Sequence, residues 1–101
     1  MTIHFYLDGE EEKEIVTLYD MISNPFKVGD EISLNVEELY PKDLIQYNTD
    51  FQDKMRASVK KLEEDYKFKT IKIIREGKYI RITLLSPSKI TIEYHCEFIN
   101  N

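Results

Sequence analysis

The side chains of this 101-residue chain best suited to chemistry are two histidines, one cysteine and 19 acidic residues. His95 and Cys96 are neighbours in an alternating stretch, so a strand there directs them to opposite faces and they cannot form a thiolate–imidazole pair. Cys96 shares the face of Tyr94 and Ile92 and is expected to be a small core residue rather than a reactive thiol. His95 falls on the polar face with Glu93 and Glu97, either of which can tune an imidazole. The simpler expectation for it is an ordinary cross-strand surface residue.

The remaining chemistry is sparse. His4 lies in another strand, and two histidines with scattered carboxylates match no metal-ligand spacing. The acidic run Asp8, Glu10, Glu11, Glu12, Glu14 lacks the ligand alternation and downstream glutamate of a calcium loop, and reads as a solvated turn. The glycines Gly9, Gly29 and Gly77 are dispersed, one to a turn, so no phosphate cradle is expected. No pair of groups has the spacing that acid–base or covalent catalysis requires. The expectation is a protein that is not an enzyme and uses neither metal nor cofactor.

Charge is the stronger signal. Residues 1–50 carry 12 Asp/Glu and 3 Lys/Arg, a net of −9, whereas residues 51–101 carry 7 and 11, a net of +4. Two surfaces follow. The first is an acidic patch of Glu10, Glu11, Glu12, Glu14, Glu37 and Glu38, which suits a protein partner with a basic surface. The alternative is a basic surface of Lys72, Lys78, Tyr79, Arg81 and His95, which suits a small ligand or single-stranded nucleic acid.

The elements that must position these residues are legible in part. Thr2–Leu7 alternates, with Ile3, Phe5 and Leu7 on one side, and predicts a strand. After the Asp8-Gly9 turn, Glu14 to Met21 reads as a second strand, with a helix over Glu10–Met21 as the competing reading. Ile32, Leu34 and Val36 predict a third strand, and Glu38 to Tyr47 a turn or one helical turn, then loop. Pro25 to Ile32 resembles the lead-in to a strand of many small β-barrels, which implies a strongly curved sheet.

Thr49 to Tyr66 is the clearest helix. Thr49 and Gln52 have capping-box spacing, and Phe51, Met55, Val59, Leu62 and Tyr66 share one face, with Glu63 among the charged residues elsewhere. Residues 68–98 read as a three-strand meander, turning at Glu76-Gly77 and Ser86-Pro87-Ser88. Its registers pair Ile80 with Tyr94 and Ile82 with Ile92, and place Ile71, Ile73, Ile80, Ile82, Ile92 and Tyr94 on one face, to be buried with Val59 and Leu62.

The expected architecture is a single α+β domain over residues 1–101: an antiparallel, strongly curved sheet of five or six strands with one long helix, about 49–66, on one face. A lone cysteine, an N-terminus without a signal-peptide pattern and the lack of an apolar run near the roughly 20 residues that span a bilayer place it in the cytoplasm, away from membranes. The expected function is that of a small acidic interaction protein of inhibitor, immunity or adaptor type.

Overall fold

The computed structural model describes residues 1–9, 13–19, 21–41, 49–67, 69–83 and 86–99, with backbone alone at 49, 51, 78–83 and 86–89. Among the described residues, five strands and two helices follow one another as β1 (Thr2–Leu7), β2 (Glu14–Leu18), β3 (Glu31–Ser33), α1 (Val36–Leu39), α2 (Thr49–Tyr66), β4 (Thr70–Thr83) and β5 (Ser86–Phe98). The strands form one curled sheet in the order β2-β1-β5-β4-β3.

The sheet is mixed, not antiparallel throughout. β1 lies parallel to β5, pairing Thr2 with Thr91 and running in step to Leu7 beside Cys96. Each member of this pair alternates apolar and polar residues, so in-step parallel pairing stacks Ile3 beside Ile92 and Phe5 beside Tyr94, all buried. The rings of Phe5, Tyr94 and Phe26 then meet, Phe26 edge-on to Phe5 with centroids 5.2 Å apart.

The C-terminal part is a long two-strand hairpin rather than a meander. Glu76 and Gly77 lie inside β4, opposite Tyr94 and Glu93, and Thr83 pairs with Ser86. Ile80 accordingly pairs with Ile90, and Lys78 takes the place opposite Ile92 that was expected for Ile82. A tight Glu-Gly turn would need a positive φ at Glu76, which a glutamate adopts only at a cost. The straight continuation avoids it and leaves β5 flanked on both sides. A bulge at Ile74, between Ile73 opposite Cys96 and Arg75 opposite His95, shifts the alternation by one residue. Ile71, Ile73, Ile92, Tyr94 and Val59 are buried and Leu62 is partly so; the side chains of Ile80 and Ile82 lie outside the described residues.

Two further boundaries differ from expectation. β2 ends at Leu18, with Met21 in an isolated bridge, and β3 ends at Ser33 because the chain turns into α1. Asn35 caps α1 by accepting from the Glu38 amide (3.0 Å), and the Glu38 carboxylate reaches back to the Ser33 amide at 2.7 Å. The helix expected from Thr49 to Tyr66 is α2, and it lies on the core face, with Val59 buried and the Tyr66 ring 5.5 Å from that of Phe98.

Glu63 is buried on α2 rather than solvated, and it accepts from the Val36 amide at 2.5 Å, the first amide of α1. Arg56, two turns earlier on the same face, donates to the Tyr40 carbonyl (3.0 Å) at the far end of α1 and pairs with Glu37 at 2.6 Å. α2 thus holds both ends of α1.

Ile73 is fully buried where β4 meets β5, so Ile73→Ala is expected to lower the unfolding free energy by about 2–5 kcal/mol in a urea titration. A loss near zero would contradict the register.

Candidate partner-binding site

The register assembles two rows of polar and aromatic side chains on the face of the sheet away from the core. One row runs Thr17 (β2), His4 (β1), Glu93 (β5), Gly77 (β4); the next runs Glu14, Tyr6, His95, Arg75. Both histidines therefore come to adjacent strands. His4 stacks on Tyr6 with centroids 5.8 Å apart, and Tyr6 on His95 at 5.6 Å. His4 and His95 were legible singly as polar-face residues, but only the parallel pairing of β1 with β5, for which the sequence carries no local signal, brings them together.

This cluster does not form a catalytic relay through Thr17. A nucleophile and an orienting carboxylate must bond opposite nitrogens of one imidazole. Here Thr17 Oγ1 at 2.8 Å and Glu14 Oε1 at 3.1 Å both approach His4 Nδ1. The His95 Nε2 to Glu93 Oε2 separation of 3.9 Å is too long for a hydrogen bond. Among the described residues no three His, Cys, Asp or Glu side chains converge as a metal site.

Cys96 is buried on the core face, with His95 turned to the other. Burial, reinforced by the Asp8 charge, pushes its thiol up to about 12, so the reactive thiolate is scarce at neutral pH. Tyr94 is equally buried. Its hydroxyl donates to the Phe26 carbonyl (2.8 Å) and accepts from Asn24 Nδ2 (2.6 Å), which pins the Asn24–Phe26 segment under the sheet. Burial raises its phenol above the ordinary range, against the lowering effect of the Asn24 hydrogen bond and with help from the charges of Glu76 and Asp30.

A second feature lies at the edge of the sheet. β2 is an outermost strand and, among the described strands, pairs with β1 alone. Between it and α2 runs a groove of about 320 Å³ lined by Glu14, Ile15, Val16, Met55, Ser58 and Leu62, among others. A bulge in β2 shapes this rim. Val16 pairs with Phe5 and Glu14 with Tyr6, so Ile15 is the extra residue. Without the bulge, alternation from buried Leu18 would send Ile15 outward and Glu14 inward. With it, Ile15 is buried and Glu14 stands exposed on the outer face.

Of the six acidic residues expected to form a patch, three are described. Glu14 is on the rim of the groove, Glu37 and Glu38 are on α1, which packs against α2, and Glu10, Glu11 and Glu12 lie outside the described residues. Glu37 and Glu38 are already engaged with Arg56 and the Ser33 amide. Of the alternative basic surface, Lys72 is exposed opposite Glu97 and His95 lies within the aromatic row; Lys78, Tyr79 and Arg81 are placed by backbone alone. Arg75, beside them, is paired to Asp8 at 3.0 Å. Among the described residues no helix is long and apolar enough to cross a membrane. Comparison with protein-family models, with curated proteins and with solved structures finds no match to this chain.

Two outcomes follow from the buried hydroxyl and thiol. Tyr94→Phe leaves the Asn24 amide and Phe26 carbonyl short of a partner and is expected to cost about 1–3 kcal/mol of stability by urea titration. For Cys96, a raised native value means that the folded state holds its proton where the unfolded state, at 9.0, has released it. Its stabilising contribution is complete below about pH 9 and is lost as pH rises towards about 12. Thiol-reagent labelling at neutral pH should be slow in the native protein and fast in denaturant, and Cys96→Ala should flatten the alkaline loss of stability.

Proposed function

We propose that this protein is a non-enzymatic interaction module that binds a basic segment of another protein along the β2 edge. The observation that carries this reading is the groove between β2 and α2, beside a strand whose outer edge meets no other described strand. An extended segment laid along such an edge completes its backbone hydrogen bonds, while its side chains enter the groove. Ile15, Met55 and Leu62 supply apolar lining, and Glu14 supplies charge on the rim.

The sign of the partner's charge follows from the sequence. Glu14 closes the acidic run that begins at Asp8, within the half of the chain carrying a net −9. Self-pairing of two copies at this edge would oppose two such halves, whereas a basic segment neutralises one. Exposed pairs add little affinity, under about 1 kcal/mol each, so the charge acts mainly on the rate of encounter.

The footprint of a bound basic peptide tests this reading. Hydrogen exchange is expected to slow at Glu14–Leu18 and along Met55–Leu62. Replacing Glu10, Glu11 and Glu12 by Gln is expected to slow association at low salt and to leave dissociation nearly unchanged. Protection confined to β4 and β5, with an unchanged association rate, would overturn the reading in favour of the basic hairpin around Lys72, Lys78 and Arg81.

A further inference from the structure

We infer that the segment received by β2 is itself an amphipathic strand, with basic and apolar residues alternating along it. This rests on the edge-docking reading above and adds the sequence pattern of the partner. A strand beside β2 must send successive side chains to opposite faces of the extended sheet. The two flanks of β2 differ in chemistry. On the core side the incoming side chains meet Ile15, Met55 and Leu62 across the groove. On the outer side they meet Glu14 and Thr17, with His4 and Tyr6 on the strand behind.

The outer flank favours a cation. Glu14 is 45% exposed at its side chain, and it contacts His4 through Oε1 alone, so among the described residues Oε2 carries no hydrogen bond. A residue on an added strand would sit about 4.5–5.5 Å from its cross-strand partner, within reach of a lysine or arginine head group. Arg75, the cation at the far end of the same row, is three strands away and already paired to Asp8. The groove on the core flank is lined by Ile15, Val16, Met55 and Leu62, with Thr17, Tyr19 and Ser58 as its hydroxyl-bearing residues beside the Glu14 rim, and the Ser58 hydroxyl already donates to the Lys54 carbonyl. A charge sent to that side would lose water with neutral hydroxyls and the β2 rim for compensation. β2 spans five residues, so the complementary stretch is short, about 16 Å at roughly 3.3 Å per residue.

Two synthetic seven-residue peptides of identical composition test the pattern, one alternating valine and arginine and the other with its arginines contiguous. Both carry the same charge, so general attraction to an acidic protein cancels between them. In fluorescence anisotropy the alternating peptide is expected to bind roughly tenfold more tightly, which corresponds to about 1.4 kcal/mol. Glu14→Gln and Leu62→Asp are each expected to reduce that preference, with native folding checked by circular dichroism. Methylating alternate backbone amides of the peptide should abolish binding in one of the two registers. Equal affinities that remain sensitive to amide methylation would overturn the alternation and leave edge docking standing. Binding by neither peptide, or binding indifferent to methylation in both registers, would overturn edge docking and the alternation with it.

Discussion

The parallel alignment of β1 with β5 is the constraint on which the rest of the molecule depends. It places β5 at the centre of the sheet, between β1 and β4, with Ile92, Tyr94 and Cys96 buried in the core. It determines which strands are left outermost, β2 on one side and β3 on the other. On the opposite face the same pairing lines up His4 and Tyr6 with Glu93 and His95. A slip of one residue would send Ile3 and Phe5 out to solvent and the two polar rows into the core, so a large burial term fixes the register.

Periodicity within a segment was a good guide, and pairing between distant segments was not. The strand at Thr2–Leu7 and the helix from Thr49 to Tyr66 are visible in the sequence because alternation and helical spacing are local properties. The core assignments of Ile71, Ile73, Ile92, Tyr94 and Cys96 followed from the same alternation. The partner of β1 was not visible, because a parallel neighbour is chosen by burial over the whole sheet and leaves no turn signal. Gly77 misled for a related reason: a glycine next to a charged residue resembles a turn, yet opposite Glu93 it is one more pair in a long ladder.

At the candidate site, Glu14 was legible as part of an acidic run, but its place on the rim of a groove was not. That position depends on the bulge at Ile15, an irregularity with no signature in the alternation of the segment. Glu63 shows the same limit. A glutamate among charged neighbours reads as solvated, and only the arrival of α1 above it explains its burial. With Glu63 at the first amide and Arg56 at the Tyr40 carbonyl, one helix face supplies an acceptor where α1 presents donors and a donor where it presents acceptors. A helix of four residues has little intrinsic stability, so this bracket, the Asn35 cap and the burial of Leu39 together hold it.

The arrangement of the central strands also governs how the molecule comes to exist. Thr2 finds its partner at Thr91, so β1 must wait for a strand that follows it by most of this sequence. Until then Ile3 and Phe5 have only β2 to lie against, and a lone two-strand ribbon is marginal in water. Such contacts, distant along the chain, slow the search for the native state, because loop-closure entropy is lost before burial compensates. The β4–β5 hairpin, whose strands are close in sequence, can form first and offer β5 as a template. Docking of β1 on that template completes the sheet and creates the β2 edge in the same step.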